Sequence, residues 1–161
     1  MRSFGFPARV AKGKDGFHTV TFRDVPEAMT DDRQLGSAML GAADALTAAL
    51  AGYVKEGRVL PKPSKPRSGE VLVFAEPCFS AKIVLRQLMA ERSMSNVGLA
   101  KLLKKDEKVV RRMIDPDQPT KLDQLDKALQ ALGHRVIVGV QPLAPIEKSG
   151  RPRDHEGPII M

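Results

Sequence analysis

The 161-residue chain has no tryptophan, one tyrosine and one cysteine. With so few large aromatics, a core of Leu, Val, Ala and Met is expected, and apolar residues at 42% supply enough of it. A lone Cys78 excludes an intramolecular disulfide and any cysteine-based zinc site, and it reads as an inert, buried thiol. The three histidines, His18, His134 and His155, are far apart and lack ligand spacing, so no metal or other cofactor is expected. Glycine-rich phosphate loops, nucleophile motifs and paired catalytic acids are all missing. No apolar run comes near the roughly 20 residues needed to cross a bilayer, and the first residues lack an apolar signal segment. A cytoplasmic protein without a membrane partner is the expectation.

Basic residues are in excess, with a net charge of +7, but unevenly placed. Residues 1–77 carry 11 basic and 9 acidic side chains, residues 78–140 carry 12 and 7, and residues 141–161 carry 3 and 3. A polyanion would therefore be drawn to the middle segment.

Hydrophobic periodicity divides the chain in the same way. Phe4, Phe6, Ala8 and Val10 alternate with Gly5, Pro7, Arg9 and Ala11, which predicts a strand over Phe4–Lys12. Pro7 cannot donate to a ladder, so an edge position or a bulge is expected for it. Asp15-Gly16 is turn chemistry, and Phe17–Arg23 is a second strand, the two forming an antiparallel hairpin. Thr30 would cap a long helix whose apolar stripe is Leu35, Met39, Ala42, Leu46, Ala49 and Tyr53. Gly57 would end it, Pro61–Gly69 is a loop, and Val71–Phe74 a short strand. One helix on one sheet face leaves the other face to solvent or a partner.

Past a boundary at Glu76-Pro77 the period turns helical. Helices are expected over Ala81–Arg92, from Ser95, from Asp106, and over Lys121–Leu132, with a final strand at Val136–Val140. The proline-containing tail from Gln141 has the composition of a disordered segment. The fold class expected is α+β: a small N-terminal antiparallel sheet with one long helix (1–77), an all-α domain ending in a short strand (78–140), and a tail (141–161).

Two short helices joined by a tight turn need a small residue where they cross, and Ala100 sits there. With Leu99, Leu103, Val110 and Met113 inward, Glu107, Lys108, Arg111 and Arg112 face outward. A helix of this kind enters the major groove, where lysine and arginine reach guanine or phosphate. Ser95 and Asn96 open the preceding helix, whose amides suit a phosphate. Lys104, Lys105 and Lys121 flank the pair. The segment from Ser95 to Gly133 resembles the Cro/C1-type (XRE) helix-turn-helix family over about 50 residues. In that family the positions matching Asn96, Glu107, Lys108 and Arg111 commonly face DNA. Its turn usually has a glycine and then an apolar residue, where this chain has Lys104 and Lys105.

The first half resembles the HicB antitoxin family over about 70 residues. The resemblance rests on Pro7-Ala8, Asp15-Gly16, Asp24-Val25-Pro26, Thr30, the alanine-rich Ala42–Ala49, and Gly57 followed by Pro61-Lys62-Pro63. It implies a partial ribonuclease-H-like fold without nuclease activity and a partner, the HicA toxin, which cleaves mRNA. It further implies that the antitoxin covers the toxin and, with a DNA-binding domain attached, represses its own operon. An active ribonuclease H would need carboxylates converging on magnesium from its strands, and Phe4–Lys12 and Val71–Phe74 have none. Asp24, Glu27, Asp31 and Asp32 form the most acidic stretch and could oppose a basic toxin, although Asp31 and Asp32 equally suit a helix N-terminus. The reading is a non-enzymatic antitoxin and repressor whose partners are a HicA-like toxin, operator DNA and a second copy of itself. The alternative is a stand-alone transcription regulator with another ligand or protein at its N-terminal half.

Overall fold

The computed structural model describes residues 2–143. Four strands, β1 (Gly5–Lys12), β2 (His18–Phe22), β3 (Met29–Asp32) and β4 (Glu70–Phe74), form one antiparallel sheet in the order β3-β2-β1-β4. Five helices complete the described chain: α1 (Leu35–Lys55), α2 (Pro77–Glu91), α3 (Asn96–Leu103), α4 (Glu107–Ile114) and α5 (Leu122–Ala131). Strands come first and helices follow, apart from α1, as the α+β expectation required.

The hairpin forms where Asp15-Gly16 predicts it, with Gly16 at φ +85° and its N–H donating to the Gly13 carbonyl. Pro7 is not on an edge strand, because β1 is internal. Its ladder with β2 runs only from Ala8 to Lys12, so Pro7 sits one residue past the end of that ladder and breaks no bond in it. Thr30 does not cap α1. Met29–Asp32 instead pairs with His18–Thr21 as β3, and α1 starts at Leu35 behind Gln34. Alternation is hard to see in four residues read as Met-Thr-Asp-Asp, and β2 supplies the partner that decides it. Gly41 lets α1 lie close to β3: a Cβ there would meet the Thr30 hydroxyl at 2.8 Å.

By length and composition α1 is apolar enough to cross a membrane, contrary to the expectation that no such stretch exists. Its Ala38, Met39, Ala42, Leu46 and Leu50 are buried on the sheet, which is the packing of a core helix. With Phe6, Ala8, Val20, Phe22 and Val73 they form the first core. Arg9, Thr21, Met29, Leu72 and Phe74 on the far sheet face are exposed, as one-sided helix cover implies.

The helix α2 begins four residues before the expected Ala81. Pro77 opens it, where a missing N–H costs nothing, and the Glu76 carboxylate accepts from the Cys78 and Phe79 amides at 3.0 and 2.7 Å. Phe79 and Ile83 belong to the first core. Ala81, Leu85, Leu88 and Met89 belong to a second one, with Leu99, Ala100, Val110, Met113, Leu125, Ala128, Leu129 and Leu132. Cys78 is half-buried rather than buried. Burial and the neighbouring Glu76 raise its pKa, which keeps the thiol protonated and unreactive.

Val136–Val140 forms no strand. Val136 donates its N–H to Asp126 Oδ1 at 2.7 Å, and Gln141, just past the segment, reaches the Leu72 carbonyl of edge strand β4 only through its side chain, at 3.5 Å. Ile137, Val138 and Val140 stand exposed. Most of the tail expected to be disordered, residues 144–161, lies outside the described residues.

Candidate functional site

The basic residues singled out in the sequence gather around α3 and α4. Ser95 caps α3, its hydroxyl accepting from the Gly98 amide at 3.1 Å. Three residues, Lys104-Lys105-Asp106, connect α3 to α4. Lys104 adopts the left-handed conformation, φ 53° and ψ 47°. Its N–H bonds the Lys101 carbonyl and that of Lys105 bonds the Ala100 carbonyl, at 3.2 and 2.9 Å. This is the paired closure that usually takes glycine, so a lysine makes the turn that the sequence resemblance lacked a residue for. Asp106 stands at the N-cap of α4 but makes no side-chain capping bond.

Val110 and Met113 face the second core, and buried Ala100 allows the close crossing expected of it. The geometry of a helix then puts Lys108, Arg111 and Arg112, spaced by three and four residues, together on the opposite side; all three are exposed. Glu107 is half-exposed and accepts from Arg111 Nη2 at 2.6 Å, bracing the guanidinium along the helix. Lys105, in the connection between α3 and α4, and Lys121, at the N-cap of α5, are exposed, Asn96 is half-buried at the start of α3, and Ser95 is exposed.

A contact that sequence reasoning missed holds α4 in place. Lys82 is only 3% exposed. Its ammonium donates to the Asp115 carbonyl at 2.8 Å and to the Gln118 carbonyl, fixing the chain that leaves α4. Burial lowers its pKa. A lysine between Ala81 and Ile83 is unusual enough to note, but its acceptors lie 33 and 36 residues away and carry no sequence signal.

The four acidic candidates differ in what holds their side chains. Asp24 accepts from the Ser64 amide at 2.8 Å and from its hydroxyl, and Arg23 lies beside it. Glu27 accepts from the Tyr53 hydroxyl at 2.8 Å and from Arg58 at 3.3 Å. Asp32 Oδ1 accepts from the Gln34 amide at 2.7 Å. Asp31 is exposed on edge strand β3, with no hydrogen bond from its side chain among the described residues. Arg23 also reaches Glu70 at 2.9 Å. This contact, with the Arg67 amide, holds the Glu70 carboxyl at a pKa of about 2. The network ties the Pro61–Gly69 loop to the sheet.

The sheet half, covered on one face by α1 and by Phe79 and Ile83 of α2, is joined through α2 to a helical half whose α4 exposes Lys108, Arg111 and Arg112. Comparison with known proteins gives the class: a family model described as a HicB-like antitoxin of bacterial toxin–antitoxin systems matches residues 5–83. The chain is 31% identical over 140 residues to "Antitoxin HicB 2" of Photorhabdus laumondii subsp. laumondii, covering 86% of this chain and 99% of that protein. It is 27% identical over 128 residues to "Antitoxin HicB" of Escherichia coli strain K12, covering 80% and 93%. For "Antitoxin HicB" of Pseudomonas fluorescens the figures are 29% over 119 residues, 73% and 82%. The chain belongs to the HicB antitoxin family, and its role is that of the antitoxin in a toxin–antitoxin pair.

Proposed function

We propose that this antitoxin neutralises a HicA-like, mRNA-cleaving toxin through its sheet half and represses its own operon by binding duplex DNA through α3 and α4. The observation that supports the DNA half is the exposed Lys108, Arg111 and Arg112 set on α4, opposite its buried Val110 and Met113. In this reading α3, the Lys104 turn and α4 are a helix-turn-helix of Cro/C1 type. The outer side of α4 enters the major groove, with Lys108 and Arg111 toward base edges and Glu107 bracing Arg111. Ser95, Asn96, Lys104, Lys105, Arg112 and Lys121 meet phosphates, which position the helix without reading sequence.

For the toxin half, family membership supports a HicA-like partner, and exposed Asp31 is the acidic group free to oppose a basic surface. Asp24, Glu27 and Asp32, held by their own neighbours, complete the acidic stretch that would face the toxin. The protein works in the cytoplasm, without catalysis and without a cofactor. Operators read by such helices are two-fold, so the DNA-binding form is a dimer, and exposed Ile137, Val138 and Val140 offer apolar surface to the second copy.

Co-expression with the product of the adjacent small reading frame tests the toxin half: the antitoxin relieves growth arrest, and persistent arrest refutes it. A mobility shift with the gene's own upstream duplex tests the DNA half. Binding no tighter than to a random duplex of equal length refutes operator recognition.

A further inference from the structure

A cleft of about 320 Å³ opens between the C-terminal end of α1 and the helices α2, α3 and α4. Lys55, Arg86, Asn96, Arg111 and Asp115 line it. Three of these side chains are cationic and one is a carboxylate, and they come from four helices. Lys55 belongs to the half of the chain that carries the sheet.

The carboxylates near this cleft are partly spent. Asp115 Oδ1 accepts from the Asp117 amide at 2.9 Å. Asp117 pairs with Lys55 at 2.8 Å, but both side chains are about half exposed, 52% and 54%. A pair so solvated contributes little and can exchange for a stronger anion. Arg86 is exposed and, among the described residues, donates only to the Ile114 carbonyl, at a long 3.4 Å, which leaves most of its fork unengaged by them. Asn96 is the first residue of α3, at the positive end of that helix.

We propose that this cleft is a backbone-phosphate site for the same duplex that α4 reads, with Arg86 and Lys55 as its cations. The proposal rests on the DNA-binding reading above and extends it: the duplex is held by both halves of the chain, including the end of the sheet-packed helix α1. A phosphate entering the cleft replaces Asp117 as the partner of Lys55 and takes the free donors of Arg86. Arg111 stands at the rim, so the phosphate fixes the register of α4 in the groove.

The test is binding of the full chain to its upstream duplex and to a random duplex of equal length, titrated with salt. Each lost phosphate contact removes about 0.9 from the slope of log K against log salt. The affinity deficit of Arg86→Ala relative to the unsubstituted protein therefore shrinks roughly threefold between 50 and 200 mM salt. It does so on both duplexes, and Lys55→Ala behaves likewise. Arg86→Lys restores the slope, which a merely structural role would not require. Asp117→Asn tightens binding to both duplexes by freeing Lys55. Unchanged slopes for Arg86→Ala and Lys55→Ala, in variants that melt like the unsubstituted protein, overturn the phosphate site while leaving α4 as the reader. Failure of the unsubstituted protein to bind either duplex overturns the DNA-binding reading itself.

Discussion

Replacing Lys104 by glycine should make the protein more stable. Lys104 closes α3 at φ 53°, a region where a Cβ crowds the following carbonyl and costs about 1–2 kcal/mol. Glycine removes that cost but gains more freedom in the unfolded chain, which returns about 0.5–1 kcal/mol. The balance is a stabilisation of about 0.5–1 kcal/mol, or a rise of about 2–3 °C in melting temperature for a chain of this size. The Lys104 side chain is exposed and makes no hydrogen bond among the described residues, so truncation loses no contact. Lys104→Ala is the control: it deletes the same charge while keeping the Cβ, and it should leave stability nearly unchanged. Urea denaturation followed by far-UV circular dichroism compares the three. A Lys104→Gly midpoint equal to or below that of Lys104→Ala, at equal denaturant slope, would refute the left-handed closure of α3.

Other perturbations probe the contacts around the two surfaces. Lys82→Met should destabilise by about 1–3 kcal/mol, because the Asp115 and Gln118 carbonyls lose their buried donor; a calorimetric melt measures it. Glu70 has its pKa depressed to about 2 by Arg23 and the Arg67 amide. Its stabilising contribution is complete above about pH 4.3, the ordinary glutamate value, and is lost as pH falls toward 2. Glu70→Gln should accordingly flatten the acid limb of the stability profile between those values, and an unaltered limb would show that the pair is not formed. On the DNA side, Arg111→Ala should weaken the specific site by about 1–3 kcal/mol and relax one base position. Lys105→Ala should weaken all sequences alike and flatten the salt dependence; binding-site selection with each variant separates the two roles.

Residues that act through their own neighbours in sequence were readable. Asp15-Gly16 marks the hairpin, and Gly57 and Gly133 mark helix ends, at φ +65° and +74°. Their chain ends close with the same pair of bonds seen at Lys104, as does the end of α2 at Ser93, φ 50°. Four helices thus end alike, but only two of them with the residue that advertises it, so the turn after α3 looked unfilled. The outward set Lys108, Arg111 and Arg112 was legible because the apolar positions of a helix define its opposite side. What holds the acidic stretch was not legible, for the opposite reason. Asp24 and Glu27 find partners 40 and 26 residues away, and Asp32 serves the turn into α1.

The helix α2 shows why the boundary between the two halves is blurred. A stripe of apolar residues at three- and four-residue steps locates a helix that buries one face. At 100° per residue, Phe79 and Ile83 lie within about 40° of each other, and Ala81, Leu85 and Leu88 lie roughly opposite. A helix with two buried faces has no single stripe, so reading one of them, from Ala81 onward, truncates its first turn. The two faces enter different cores, so no flexible linker separates the sheet from α3 and α4. Lys82, between those faces, fixes the chain leaving α4 from the same helix. A substitution that loosens α2, such as Leu85→Ala with a cost of about 2–5 kcal/mol for a fully buried leucine, should therefore reach both halves. Hydrogen exchange would show it as faster amide exchange in β1 and in α4 together. Faster exchange confined to α3, α4 and α5 would mean that the two cores open independently despite the helix they share.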